Sequence, residues 1–520
     1  MSDILLCAIP KHGVNVPPLA IAYLQGVCKS HGFKTDVRDF NLELWEDTIH
    51  TEWWEIWKES NETLYKGKRF FEFYNSVYNT YIDKWAKEIA DHPAEFVGIS
   101  CFSYRSLPTL KYLSPLIKKY NPQKKIIVGG SPVFTYHDWI IKNNLADYAV
   151  SNEGENALLE ILYNKCKPGH IMFPQIQDLN VLPKPDYSGL DFSRYVPRDP
   201  GGLRARDNKY RRDSFEAGIM GSRGCVRRCT FCDVASFYPK FRWRSAEHIY
   251  DEMLHLLDNG INHIYFFDSL INGNQRELER LCDLIITDGS KFDSIKGLGI
   301  IKQMPERLYE KMQCANFKQM SIGIESFSPK LREDMNKGFT DETLKQNLDM
   351  YAKYNINVAL LLIVGYPTQT EEDHLEEYRW MSDNKHYANN PVVRVEIGGT
   401  MLILPGAPVF KKKMYKLFLD KGKDWVSFPN NESNTMEVRV RRREDIEQWA
   451  AKFGFRVGST YGDGGQMIGD PEKGTNADYQ RPQDDLISLY NTDTDTDEDK
   501  EFKQFIGWES DPLRPTHSQE

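Results

Sequence analysis

The run Gly221-Ser222-Arg223-Gly224-Cys225-Val226-Arg227-Arg228-Cys229-Thr230-Phe231-Cys232 places three thiols at the spacing CxxxCxxC. Thiolates are soft donors, suited to iron–sulfur clusters or zinc rather than to a hard ion. Three of them can hold three irons of a [4Fe–4S] cluster and leave the fourth iron without a protein ligand. Such an open iron is useless to a purely structural cluster and is what an external ligand needs. A closed zinc site needs a fourth ligand, and only Asp233 or the distant Cys282 and Cys314 are on offer. A disulfide between cysteines this close in sequence would strain the loop. The cluster is the stronger reading.

The cysteines need a scaffold, and apolar periodicity supplies one on each side of them. Before them, Ile4–Ile9, Lys34–Asp39, Phe96–Ser100, Lys125–Val128 and Tyr148–Val150 read as strands, with a helix over Leu19–His31. This is an open, Rossmann-like α/β sheet, in which ligands bind beyond the carboxyl ends of the strands. After them, Ala217–Gly221, His263–Asp268, Gly297–Ile301, Gln319–Ile324, Val358–Val364 and Val393–Gly398 read as strands. Helical patterns over Ser245–Asp258, Gln275–Asp288, Pro305–Ala315, Asp341–Tyr354 and Thr370–Asn384 separate them. Six such repeats predict a partial (β/α)6 TIM-type barrel with its chemistry at the carboxyl ends of its strands.

The expected fold class is therefore α/β, with domains at 1–169, 215–404 and a mixed C-terminal region at 405–483. Residues 170–214, rich in Pro, Gly, Asp and Arg, read as a linker, and its basic stretch Arg198–Arg212 as a solvated segment. Residues 42–95 form an insertion whose aromatics (Trp53, Trp57, Phe70, Tyr74, Tyr78, Tyr81 and Trp85 among them) predict two helices packed on each other. Residues 484–520 read as an acidic, disordered tail: eight acids against Lys500 in 484–501 leave −7 there and −2 for the rest of the chain.

The cysteine run, with its aromatic before the last cysteine, resembles the signature of the radical S-adenosylmethionine (SAM) superfamily. Fragments in the family's order follow it: Phe267-Asp268-Ser269-Leu270-Ile271-Asn272, Gly323-Ile324-Glu325-Ser326, Ile363-Val364-Gly365-Tyr366-Pro367 and Leu404-Pro405-Gly406-Ala407-Pro408. The resemblance implies that Cys225, Cys229 and Cys232 ligate a [4Fe–4S] cluster whose open iron is chelated by SAM. It implies Phe231 beside the adenine, and Asp268 and Ser269 near the SAM amino group, although the usual Gly-Gly-Glu is absent there. Glu325 or Ser326 would bond the ribose or the amino-acid moiety, and Gly365 and Pro367 would support the adenine through backbone. Arg242 and Arg244, in Phe-Arg-Trp-Arg, are either anion-holding arms or plain surface arginines.

The first half resembles the cobalamin-binding domain found upstream of many such cores. Ser100-Cys101-Phe102 stands for its Ser-x-Leu, Gly129-Gly130 follows after 26 residues, and Asp147 to Glu155 matches its closing segment. Ser100, Gly129 and Gly130 would then line the path of the corrin's nucleotide tail. The motif Asp-x-His-x-x-Gly is missing, since Pro10 and Asn15 stand where its aspartate and glycine belong. His12 is then a loop histidine, and the lower face of cobalt has no histidine; the alternative is a scaffold that has lost the cofactor.

The resemblance implies one-electron cleavage of SAM to a 5′-deoxyadenosyl radical and, with cobalamin, methyl transfer to an unactivated carbon of a small molecule. A flavodoxin or ferredoxin would supply the electron. A tRNA or protein methylthiotransferase is a second reading, disfavoured because Cys7, Cys28 and Cys101 are dispersed and no basic face is concentrated for nucleic acid. A non-catalytic cluster- or corrin-binding sensor is a third. Singly scattered cysteines, apolar runs too short for a bilayer and no secretory pattern at Met1–Pro10 predict a cytoplasmic protein without a membrane partner.

Overall fold

A computed structural model describes residues 2–57, 72–195, 215–289, 291–389, 393–401, 403–404, 406–411 and 434–458. The first sheet comprises β1 (Ile4–Ala8), β2 (Thr35–Asp39), β3 (Phe96–Ser100), β4 (Lys125–Gly129), β5 (Tyr148–Ser151) and β6 (Gly169–Met172). Its order is β2-β1-β3-β4-β5-β6, with every pair parallel. The central strands read as continuous apolar runs because helices cover both faces. Two separate cores result, one on each face, with Leu5, Cys7 and Val97 in one and Ile4, Leu6 and Phe96 in the other.

The second sheet begins with β7 (Phe215–Ile219), followed by a two-stranded antiparallel hairpin, β8 (Ser222–Arg223) and β9 (Arg242–Trp243), that brackets the cysteines. It continues through β10 (Ile261–Phe266), β11 (Ser294–Gly299), β12 (Phe317–Glu325), β13 (Asn357–Val364), β14 (Val393–Thr400) and β15 (Arg456–Gly458). The order β15-β14-β13-β12-β11-β10-β7 is parallel throughout, and among the described residues β7 and β15 do not pair, so the barrel is open. Its helices start where a cap side chain meets an orphan amide: Ser245 accepts from His248 N, Asn274 from Glu277 N, Thr340 from Thr343 N and Thr370 from Asp373 N. Each such cap is worth about 1 kcal/mol.

The structure adds four strands to the sequence reading: the hairpin strands β8 and β9, and two more at the sheet edges. Gly169–Met172, which composition assigns largely to the linker, pairs with β5 as an edge strand. The C-terminal region contributes a helix over Met436–Lys452 and then β15, which extends the barrel sheet beyond β14. The aromatic insertion is described only in part: a 3-10 turn over Trp54–Trp57 and a helix over Asn79–Asp91 whose Trp85 stacks on Phe40. Its residues 58–71, the linker's basic stretch and the acidic tail lie outside the described residues. No described helix is long and apolar enough to cross a membrane.

Candidate functional site

The cysteine loop leaves β8 through Gly224, whose φ is +89°. A Cβ there would stand 2.5 Å from the Lys240 carbonyl oxygen, so only glycine lets the hairpin close. Inside the loop Arg227 N reaches Cys225 Sγ at 3.4 Å and Cys232 N donates to Cys229 O at 3.3 Å. Burial pushes the Cys232 thiol up to about 12, opposed by the Val234 amide, and Cys229 is raised by burial as well; Cys225 adds to the rise in both. A coordinating metal removes such protons outright. Among the described residues no three His, Cys, Asp or Glu side chains converge as a grip on one ion.

The loop is pinned to the carboxyl ends of the barrel strands. Thr230 N donates to Met335 O at 3.1 Å, and the Thr230 and Tyr366 hydroxyls meet at 2.7 Å. Asn336 Nδ2 donates to Arg228 O at 2.8 Å, and Ser236 Oγ to Gly406 O at 2.6 Å. Phe231 packs against the apolar cluster that contains Leu331, Tyr366 and Met401. Over its ring, 5.7 Å from the centroid, lies the ammonium of Lys337.

Lys337 is buried and pairs with Glu325 at 3.0 Å. Burial works against its charge, but Glu325 and the thiols of Cys229 and Cys232 hold the proton on. Glu325 ends β12 at φ +67°, a left-handed conformation uncommon for a side-chain-bearing residue, where the ladder with β13 also slips register. Its carboxylate folds back over Gly323, where a Cβ would lie 2.3 Å from Oε1. The Gly-x-Glu pattern thus has a steric reason. Lys337 carries no motif and escaped the sequence reading.

The other expected SAM contacts divide. Asp268 is buried, accepts from Gly221 N at 2.9 Å, and burial raises its carboxyl to about 7, so it braces the loop entrance; Ser269 beside it is exposed. Ser326 turns away, its hydroxyl on buried Glu377. Gly365, at φ +89°, lies under Arg439, and a Cβ there would be 2.2 Å from Arg439 Cδ. Asn434 Nδ2 donates to Tyr366 O at 3.1 Å and to Pro367 O at 3.4 Å. The C-terminal helix therefore caps the end of β13.

Neither arginine of Phe-Arg-Trp-Arg is an anion-holding arm or a surface group. Arg244 is fully buried on Glu252, with the Tyr23 hydroxyl accepting from its Nη1 at 2.9 Å and donating to Glu252 at 2.9 Å. Arg242 Nη2 donates to Glu153 Oε1 at 2.7 Å. Arg223, two residues before Cys225, pairs with Glu153 at 2.9 Å and also with Glu155. Both acids belong to the Glu-Gly-Glu that follows β5. The Phe134 and Phe237 rings meet edge-on at 4.9 Å, joining the segment after Gly130 to the segment after Cys232. These contacts set the carboxyl edge of the first sheet against the cysteine loop.

At that edge β3 and β4 bring Ser100 and Gly129 into register, and Cys101 N donates to Gly129 O at 2.8 Å. Gly130, at φ +115°, has no room for a side chain: a Cβ would stand 1.9 Å from Cys101 O. A Cβ on Gly129 would meet nothing within 4 Å, which leaves an open backbone ledge. Phe102 projects beside it, 62% exposed. The His12 side chain is buried, with Nδ1 2.9 Å from Gly13 O and Nε2 3.8 Å from Asp39 Oδ1, as befits a loop histidine.

Comparison with known proteins agrees with this geometry. The family model of the radical SAM superfamily matches residues 219–381, and that of the B12 binding domain matches 65–162. An uncharacterised methyltransferase of Pyrococcus horikoshii is 28% identical over 205 residues, 38% of this chain and 41% of its own. The tRNA-2-methylthio-N(6)-dimethylallyladenosine synthase of Aquifex aeolicus is 24% identical over 296 residues, 54% of this chain and 63% of its own. The chain thus spans about half the length of the curated relatives it matches. The cobalamin-dependent SAM radical enzyme OxsB, with aqua-cobalamin bound, shares the fold at a TM-score of 0.60 and 14% identity, over 98% of this chain and 75% of its own. The radical SAM methyltransferase TsrM from Kitasatospora setae, with tryptophan and a SAM analogue bound, does so at 0.56 and 14%, over 78% and 75%.

Proposed function

Because the chain belongs to the radical SAM superfamily and carries a B12-binding domain ahead of its core, we propose that it is a cobalamin-dependent methyltransferase acting on an unactivated carbon of a small molecule. The observation that supports it most is the placing of the first sheet's carboxyl edge against the cysteine loop through Glu153, Arg223 and Arg242. The residues present fit the cofactors: three half-buried thiols for the cluster, a paired ammonium and carboxylate for the amino-acid end of SAM, and a ledge at Gly129-Gly130 for the corrin tail. When bound, the cluster supplies an electron for SAM cleavage and the corrin supplies a methyl group.

Cys225, Cys229 and Cys232 would hold the cluster. Lys337 would take the carboxylate of SAM and Glu325 its ammonium, exchanging their mutual pair for two with the zwitterion. Phe231 would present an apolar face, Tyr366 would back the loop, and Arg439 would close the far side against water.

The methylthiotransferase reading loses ground on the placing of its extra cysteines. Cys7 and Cys101 are buried in the core on one face of the first sheet and Cys28 in the core on the other. Burial raises all three thiols, Cys28 and Cys101 to about 12. They are packing residues that do not gather around a second cluster.

The test is anaerobic reconstitution of the full chain with iron, sulfide and hydroxocobalamin, followed by metal analysis. Incubation with SAM and reductant then reads 5′-deoxyadenosine and S-adenosylhomocysteine. Four irons with one cobalt per chain and both products are expected. Eight irons, or four without cobalt, would sink the methyltransferase reading.

A further inference from the structure

Each barrel strand turns one face to the helices and the other to the bore, and the two differ in kind. On the outer face Ile264, Ile322, Leu360 and Val395 belong to one helix-covered core. On the inner face β12 presents Gln319, Ser321 and Gly323, and β13 presents Asn357 and Ala359. A closed barrel packs this space with bulky branched side chains; here small and polar ones leave room. Charges line it in matched pairs. Arg394 on β14 reaches Glu396 with Nε at 2.7 Å and Nη2 at 2.5 Å. Among the described residues both donors use Oε1, which leaves the other oxygen of Glu396 to a further donor. Lys296 on β11 pairs with Glu216 on β7 at 3.1 Å, and Lys337 with Glu325 at 3.0 Å.

Such matching selects a kind of ligand. A polyanion, such as a nucleotide or a phosphate ester, needs surplus cations, whereas Arg394, Lys296 and Lys337 each already hold a carboxylate. A zwitterion exchanges one ion pair for two. Arg456, exposed on the edge strand in register with Arg394, strengthens the arginine end for a carboxylate. Register decides which pair a small molecule meets. Gly323 pairs with Leu361 and Leu361 with Glu396, so Glu396 stands two residues, about 7 Å, short of Glu325. Lys296 is opposite Gln319, six residues or about 20 Å short, and floors the bore. Above Glu396 the inward residues of β13 are Leu361 and Ile363, both partly exposed. Ile363 packs against the same apolar cluster as Phe231, so this apolar strip leads from the Arg394–Glu396 pair to the cysteine loop.

We propose that the substrate is a free α-amino acid with an apolar side chain. Glu396 takes its ammonium, Arg394 takes its carboxylate, and Leu361 and Ile363 carry its side chain up towards the cysteine loop. The proposal rests on the functional reading above and names the substrate class of that same site. The test uses the full-length protein loaded with iron, sulfide and hydroxocobalamin, and equilibrium dialysis with radiolabelled L-leucine, L-phenylalanine and L-tryptophan. The matching des-amino acids and decarboxylated amines each remove one charge without adding bulk. At least one free amino acid should bind, and both of its analogues at least tenfold more weakly, the scale of a lost charged hydrogen bond. Arg394→Gln should erase the preference over the amine, and Glu396→Gln the preference over the des-amino acid. SAM affinity, read in parallel, should hold in both variants. Where Arg394→Gln loses SAM as well, Arg394→Lys, which keeps the charge but not the planar fork, should still narrow the preference over the amine.

No binding of the three amino acids, equal binding of their one-charge analogues, or unchanged preferences in the variants would overturn the proposal. A parent that forms 5′-deoxyadenosine and S-adenosylhomocysteine yet binds no amino acid sinks this proposal alone. A parent that binds one with the expected preferences but loads no cobalt sinks the methyltransferase reading and leaves the amino-acid site standing.

Discussion

Nη1 of Arg223 lies 2.9 Å from a carboxylate oxygen of Glu153, with both side chains almost sealed from solvent. The arginine begins the cysteine loop and the acid lies just beyond a strand of the other domain. Arg242 shares the same oxygen at 2.7 Å, and Ile176 N donates to the other at 2.6 Å. One carboxylate thus satisfies three donors.

Glu153→Ala should therefore lower stability by about 3–5 kcal/mol, because removing one member of a buried ionic group leaves the rest charged and dry. Glu153→Gln, which keeps two acceptor sites, should cost less. Urea unfolding of the cofactor-free protein measures both. A loss below about 1 kcal/mol, the ceiling for an exposed pair, would mean that the contact does not join the domains.

The same group sets an acid limit. Burial alone would raise the Glu153 carboxyl above its ordinary 4.5, but Arg242, Arg223 and the Ile176 amide outweigh it and hold it lower. A depressed carboxyl stabilises the fold above 4.5, and that contribution disappears as pH falls below it. Stability measured from pH 6 down to pH 3 should fall more steeply in the parent than in Glu153→Gln.

Glu377 behaves oppositely. Wholly buried, it accepts from the Ser326 hydroxyl and from Phe327 N, and burial raises it from 4.5 to about 7. Its protonated form suits the fold, so its contribution is complete below 4.5 and is lost as pH rises towards 7. At about 1.4 kcal/mol per pH unit this amounts to roughly 3 kcal/mol. Urea midpoints at pH 5 and pH 8 should diverge less in Glu377→Gln than in the parent; equal divergence would refute a raised carboxyl.

Gly129 and Gly130 separate folding from cofactor binding. Gly130→Ala should destabilise the first domain by about 1–3 kcal/mol or more, from the positive φ and the Cys101 carbonyl together. Gly129→Ala should leave urea unfolding unchanged and reduce cobalamin uptake, read by cobalt content after desalting. Full cobalt loading of Gly129→Ala would place the corrin tail elsewhere.

Cys229→Ala should abolish 5′-deoxyadenosine formation while cobalamin loading survives, since the two sites use different domains. Lys337→Met should assemble the cluster normally but weaken SAM about tenfold or more, as expected for a charged hydrogen bond worth about 1.5–3 kcal/mol. Equilibrium dialysis with SAM reads the second variant. Unchanged affinity would exclude Lys337 from the SAM site.

The strands were legible because parallel strands covered on both faces are short apolar runs closed by glycine or a polar turn; Phe96–Ser100 is the plain case. Gly169–Met172 was not, because an edge strand whose residues are all at least partly exposed has no apolar run to show. The cysteines and Gly323-Ile324-Glu325-Ser326 were legible as spacing and order. Lys337 was not: its meaning lies in being buried beside Glu325, twelve residues away, and burial of a lone lysine leaves no local trace. Arg223 and Arg242 find their acids 68 and 89 residues upstream. Pattern alone left Arg242 as an anion-holding arm or a surface group and gave Arg223 no role.

That clasp bears on how such a chain can be assembled from parts. A barrel severed from the first domain would carry Arg223 and Arg242 at the mouth of its metal loop with their counter-charges gone, and Glu252 without the Tyr23 hydroxyl. Exchanging one corrin-type domain for another by joining sequences in the linker would therefore fail unless Tyr23, Glu153 and Glu155 travelled with it. The unit that recombines is the first domain together with the barrel's cationic rim, and the true seam runs through the ion pairs, not through the linker.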